Sequence, residues 1–315
     1  MFEDKYIFQV PDNKKIRVII HTDAKNEADD QFAIAHHLMS PREMVVGIVG
    51  GHFEKNPRKY EEMYPEGGTA HASFLEIEKV VDLMGLTGKV KVAEGAPHSM
   101  PDEETPCPSA GAQLIIDEAM KEDEHELYVV CQGAVTDVAS AILLKPEIQD
   151  RMTVVWIGGG ISPVGGQEFN LMMDINAANV LFSSRVPLWQ VPMDVYKQVA
   201  VSFAELQVNV EPYGKIGHYL VQQMVDFNNE FSFFQRWPHG ESWGLGDQGT
   251  VTVLLEEYER MNWNWVPAPR FDVRSMNYIH NQNNRAIRVY HTLDSRMTLG
   301  DFYAKLKLCF PERDS

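Results

Sequence analysis

The chain has 315 residues and a formal net charge of −17, with 44% of its residues hydrophobic. That length and apolar share allow a sizeable core in one large α/β domain or two small ones. The negative balance argues against nucleic acid and anionic membranes as partners, since both need clustered Lys and Arg. Cys107, Cys131 and Cys309 lie far apart with no metal-binding or redox spacing, which suits a reducing compartment. The opening stretch MFEDKYIFQVPDNKK has no apolar signal core, and no apolar run is long enough to span a bilayer, so a cytoplasmic location is expected.

Taken in chain order, apolar β-type runs predict strands at 16–22, 44–50, 89–93, 126–132, 152–157 and 187–192. Between and after them, helix-period segments predict helices at 28–39, 69–85, 109–121, 135–145, 174–184 and 212–229. This alternation predicts an α/β fold with an open, mostly parallel sheet and helices on both faces. Continuously apolar strands such as MTVVWIG fit a sheet covered on both sides. The Pro- and acid-rich segment 97–108 reads as a surface loop, and residues 1–315 are expected to form one domain. Beyond residue 230 the aromatic- and Gly-rich stretch FNNEFSFFQRWPHGESWGLGDQG has no clear period. Phe231, Phe233 and Phe234 within it read as core or interface residues. The tail RAIRVYHTLDSRMTLGDFYAKL reads as a strand followed by a closing helix.

In open α/β sheets ligands collect beyond the carboxyl ends of the strands, which gives weight to VIIHTDAKNEADDQFAIAHHL at residues 18–38. Asp23, Glu27, Asp29 and Asp30 crowd into eight positions there. Crowded carboxylates repel and each needs compensation if it stays ionised. Helix capping accounts for Asp29 and Asp30. A hard cation held by carboxylates accounts for all four. A phosphotransfer centre of the haloacid-dehalogenase type would place its nucleophile two residues before a second Asp, where this chain has His21.

The stretch HTDAKNEADDQ resembles the N-terminal signature of the calcium-dependent, inosine-uridine-preferring nucleoside hydrolases, and four further segments agree in order over roughly residues 16–255. QGAVTDVASAI is similar to the family's strand-4 turn, in which a Thr carbonyl binds metal; here this is Thr136. GQEFNLMMDINAANVLFSSRVPLWQVPMDV resembles its central signature, whose Glu and Asn hold the sugar, here Glu168 and Asn170. LGDQGTVTVLL is similar to the late element supplying the last metal ligand, here Asp247, and AEGAP at 93–97 resembles a structural turn. The resemblance implies a Rossmann-type nucleoside hydrolase fold and a metal held by Asp23, Asp30, Asp247 and the carbonyl of Thr136.

These oxygen ligands suit Ca²⁺, with Mg²⁺ as second choice. Bound metal would acidify a water aimed at the anomeric carbon. By the same resemblance Asp23 is the general base and Asp29 holds a ribose hydroxyl, so that the chain would split a nucleoside-like substrate into sugar and base through an oxocarbenium-like state favoured by nearby carboxylates. A homodimer or homotetramer is implied.

Several positions depart from the pattern. Asp23 and Asp29 are six apart where the usual turn has four, so Glu27 either enters the site or faces solvent. The His that commonly precedes the late Asp and protonates the departing base is replaced by Gly246; His239 and Glu241 lie just upstream as substitutes. A usual sugar-binding Asn after the second strand falls at His52 or Gly51, and another falls near Ser162. Trp237 and Trp243 flank PHGES and could stack on a base or pack the core. Asp174 and Asp194 read as a helix cap and a strand-end support. Two alternatives stay open: a metal-dependent sugar or nucleoside binder without turnover, and a hydrolase acting on a different glycosyl or phosphoryl substrate.

Overall fold

In β1 (Ile16–Thr22) all seven residues are buried, and successive side chains enter opposite cores. Val18 and Ile20 join one cluster and Ile19 the other, as the two-residue period of a strand requires when both faces are covered. The computed structural model describes residues 1–55, 64–233, 236–260 and 262–313; Phe234 lies outside them. The other strands are β2 (Glu43–Gly50), β3 (Val92–Glu94), β4 (Leu127–Gln132), β5 (Thr153–Ile157), β6 (Leu188–Val191), β7 (Ala200–Ser202), β8 (Ser242–Gly244), β9 (Asn262–Pro267), β10 (Arg270–Phe271), β11 (Tyr278–Ile279) and β12 (Ala286–Thr292). Eight of them form a sheet in the order β3-β2-β1-β4-β5-β6-β12-β9, parallel throughout except for the edge strand β9.

The helices are α1 (Asp30–Met39), α2 (Gly68–Leu83), α3 (Ala110–Ala119), α4 (Thr136–Leu144), α5 (Phe169–Met173), α6 (Ile175–Ser183), α7 (Met193–Tyr196), α8 (Phe203–Asn209), α9 (Gly214–Glu230), α10 (Gln248–Leu255) and α11 (Ser295–Cys309). One face of the sheet is covered by α1, α2, α9, α10 and α11, which supply Phe32, Ile77, Leu220, Val253 and Phe302. The other is covered by α3, α4 and α6 through Ile115, Val138 and Phe182. Each such side chain, fully buried, contributes about 1.5–3 kcal/mol. Ser109, Asp174 and Asp294 cap α3, α6 and α11 by accepting backbone N–H groups. The chain leaves α2 through Gly85 at φ +70°, a left-handed position that favours glycine.

The tail forms the expected strand and closing helix, β12 and α11. The third strand starts later than 89–93, because Lys89 donates to the Leu86 carbonyl and prolongs the turn after α2. No described helix is long and apolar enough to cross a membrane. The strand order reverses between β1 and β4, so the loops beyond their carboxyl ends diverge and open a crevice.

Candidate active site

The crevice is built from the turn after β1. Asp23 opens it, and Asn26 donates its N–H to the Asp23 carbonyl at 2.7 Å. Gln31 Nε2 donates to the carbonyl of Ala24 at 2.5 Å, and Gln223 Nε2 on α9 donates to that of Ala28 at 2.7 Å. These side chains satisfy carbonyls that a tight turn would leave exposed, which is how the longer turn is accommodated. Asp30 starts α1 and accepts the hydroxyl of Thr22. Asp247 precedes α10 and donates its backbone N–H to Asp29 Oδ2 at 3.4 Å.

Asp29, Asp30 and Asp247 each present an oxygen within 4.8 Å of the others. Asp23 lines the same small cavity, of about 80 Å³. A methyl group built on Gly133 would lie 2.9 Å from Asp23 Cγ, so glycine there lets the loop after β4 close onto the carboxylate.

All four carboxylates are buried, with exposures of 2% for Asp23, 8% for Asp29, 2% for Asp30 and 5% for Asp247. Burial first, and then the charges of their neighbours, raise Asp23, Asp29 and Asp247 well above the usual carboxylate range. Burial pushes Asp30 up to about 7 against the opposing pull of its hydrogen bonds from Thr22 and Asp247. Among the described residues none of the four forms an ion pair with Lys, Arg or His, and Asp23 Oδ2 is buried without a hydrogen-bond partner.

Simple capping does not explain them. Asp29 and Asp247 stand at helix N-cap positions but make no side-chain cap bond, whereas Glu168 and Asp174 cap α5 and α6. Buried carboxylates with no cationic partner among the described residues call for a cation if they are to stay ionised, and a set made only of oxygens fits a hard one.

The other expected residues fall in several places. Asn170 lines the small cavity and donates Nδ2 to the Ile157 carbonyl at 2.8 Å. Trp243 lines a larger chamber of about 490 Å³ next door, with Trp237. Glu27 lines both cavities, so it enters the crevice.

Glu168 lines the larger chamber and is held firmly from within the protein. Its Oε1 accepts Asn170 N–H and the Tyr196 hydroxyl, and its Oε2 accepts Gly159 N–H and Leu171 N–H. Four donors fill the roughly four lone-pair sites of a carboxylate. His52 is buried, its Nε2 meets Thr136 Oγ1 at 2.8 Å, and it lines neither cavity. Burial pushes its imidazole down to about 3. Thr136 likewise lines neither cavity, and its hydroxyl donates to Asp174 at 2.7 Å. His239 is exposed, 3.5 Å from Ser242 Oγ, and outside both cavity walls. Asp174 caps α6 as expected, while Asp194 is exposed in the first turn of α7.

Five residues of the small cavity lie outside the sequence-based candidates: Asn26, Gln132, Ile157, Phe169 and Tyr196. Gln132 ends β4 at the strand-order reversal, a position that the strand-end rule marks. Its Nε2 donates to Thr250 at 2.8 Å and its Oε1 is buried without a partner. Tyr196 carries no local signal, because only the folding of α7 against Gly246 brings it into the crevice.

Fold and site together define a doubly wound α/β protein with an acidic, cation-compatible pocket opening into an aromatic chamber. Residues 18–307 match the inosine-uridine preferring nucleoside hydrolase family, and the chain belongs to that family. It is 34% identical to the inosine-uridine preferring nucleoside hydrolase of Leishmania major over 121 residues, covering 36% of this chain and 38% of that protein. It is 25% identical to the pyrimidine-specific ribonucleoside hydrolase RihA of Klebsiella pneumoniae over 170 residues, 50% of this chain and 51% of that one. The chain thus spans about half or less of the length of these curated relatives. The structure of a purine-preferring ribonucleoside hydrolase from Gardnerella vaginalis superposes with a TM-score of 0.71 at 20% identity, covering 93% of this chain and 99% of that one. A plant nucleoside hydrolase gives 0.69 at 16%, with coverages of 92% and 98%. At these identities the two structures speak to fold alone.

Proposed function

We propose that the chain is a metal-dependent N-ribohydrolase that splits a ribonucleoside, or a closely related N-glycoside, into sugar and base. The observation that carries this reading is the gathering of Asp23, Asp29, Asp30 and Asp247, all buried, at the ends of distant segments with no cationic side chain among the described residues paired to them. Asp30 and Asp247 would hold the metal, with Asp23 and the Thr136 carbonyl completing the set that the family resemblance implies. Ca²⁺ is favoured by the hard oxygen donors, with Mg²⁺ second. When bound, such an ion supplies positive charge that neutralises the carboxylates and polarises oxygen.

The chain's own residues do the remainder. Asp23 has an unpartnered oxygen available to take a proton from water. Asp29 lines both cavities and so can hold a sugar hydroxyl at their junction. Asn170 contributes from the lining of the small cavity. Glu168 lines the larger chamber, where the family resemblance has it hold the sugar, and it also fixes the loop after β5 and the hydroxyl of Tyr196. The concentrated negative charge stabilises an oxocarbenium-like sugar, and Trp237 and Trp243 offer faces for the departing base. Association into homodimers or homotetramers belongs to the same reading, as the family resemblance implies.

The test is base release from inosine and uridine. It disappears with chelator and with Asp30→Ala or Asp247→Ala. Turnover surviving both substitutions rejects the centre.

A further inference from the structure

Gly246 stands directly before Asp247, where a side chain would project toward the crevice. A methyl group built there would lie 2.9 Å from Cδ2 and 3.4 Å from Cε2 of Tyr196, and 3.7 Å from Asp29 Oδ2. The ring of Tyr196 therefore occupies the volume that any side chain at 246 would need. Tyr196 is also common to the linings of the acidic pocket and the aromatic chamber. Its hydroxyl is anchored on Glu168 at 2.8 Å, and Glu168 is itself held by three backbone N–H groups. A ring tethered to a fixed carboxylate and packed against a glycine is a rigid partition.

We propose that Tyr196 and Gly246 form a reciprocal size pair in which the Tyr196 ring is the wall that positions the flat aglycone between the acidic pocket and the aromatic chamber. This rests on the N-ribohydrolase reading for its substrate class, and the geometry of the pair stands apart from it. It follows that the leaving base is positioned by an aromatic face, and that position 246 contributes only the space for it. Tyr196 is a positioning residue.

A double-mutant cycle on the full chain tests this with two readouts. Turnover of inosine and uridine gives kcat and KM, and calorimetry with free hypoxanthine gives affinity for the aglycone without turnover. Gly246→Ala displaces the ring and lowers kcat/KM by about tenfold or more, with a parallel loss of hypoxanthine affinity. In a Tyr196→Ala background the same change costs less than about twofold, because the clash is gone. Tyr196→Phe keeps the ring and loses far less hypoxanthine affinity than Tyr196→Ala. Circular dichroism confirms folding, and Tyr196→Leu replaces Tyr196→Ala if the latter unfolds. An equal cost of Gly246→Ala in both backgrounds overturns the pair. So does a Tyr196→Phe loss as large as that of Tyr196→Ala, or a parent chain that ignores millimolar hypoxanthine. A chain that binds hypoxanthine with this coupling yet releases no base from either nucleoside upholds the wall and overturns the N-ribohydrolase reading.

Discussion

Asp29 and Asp247 are 218 positions apart in the chain, yet the backbone N–H of Asp247 donates to Oδ2 of Asp29 at 3.4 Å. This contact joins the turn after β1 to the start of α10 and closes the acidic pocket. It places two buried carboxyl groups side by side with no cationic side chain among the described residues to offset them.

Removing one of those charges separates stability from binding. Asp247→Asn relieves repulsion in the metal-free protein and raises its Tm, while cancelling the rise that calcium gives the parent chain. For the parent, calcium at one hundred times its Kd adds about 2.7 kcal/mol. Thermal unfolding of both chains with chelator and with calcium checks this. An Asp247→Asn chain that calcium still stabilises as strongly as the parent contradicts the assignment.

Asp137, in the first turn of α4, has a structural role. It accepts His21 Nε2 at 2.8 Å and Ala96 N–H at 2.9 Å, together with the Ser109 hydroxyl, so that it ties β1, the turn after β3 and the start of α3 to α4. Asp137→Ala leaves these buried donors without a partner and costs about 3–5 kcal/mol. Urea unfolding measures the loss; a change in midpoint too small to detect would show that the network is not cooperative.

What the sequence displayed and what it hid follow from the range of the interactions. The buried strands β1, β4 and β5 announce themselves because both faces are covered, which makes their apolar runs continuous. The acidic turn is visible because four carboxylates in eight residues are costly anywhere. Two-residue strands such as β10 and β11 carry too little pattern to register. The saturation of Glu168 is invisible too, since its donors come from Gly159 and Tyr196 as well as from its own helix. A carboxylate three residues before Leu171 reads equally as a cap or as a ligand until those partners are placed.

Acid sensitivity should arise on the opposite side of the sheet from Asp137. His36 is fully buried, with Nδ1 2.7 Å from Gln248 Oε1 and Nε2 2.8 Å from Asp301 Oδ2. Burial lowers its pKa, outweighing the opposing pull of Asp301. A depressed histidine favours the neutral form in the folded state, so its contribution is complete above the unfolded value of about 6.5 and fades as pH falls below it. Urea midpoints at pH 7.5 and 5.5 should differ for the parent and differ less for His36→Asn. Equal pH slopes in the two chains would remove His36 as the cause.

The two aromatic-loop candidates should separate in kinetics. His239 is exposed and outside the cavity walls, so His239→Ala changes kcat/KM by no more than about twofold. Trp243 lines the chamber and is buried, so Trp243→Leu raises KM for the nucleoside and lowers stability by about 1–3 kcal/mol. Steady-state assays on inosine distinguish them. A large kcat loss confined to His239→Ala would instead assign that histidine to leaving-group chemistry.

The most direct test is a calorimetric titration of the chelator-stripped protein with calcium chloride. The account predicts one site per chain that disappears in Asp30→Ala while the fold persists. A folded parent chain that takes up no calcium at millimolar concentration would contradict it.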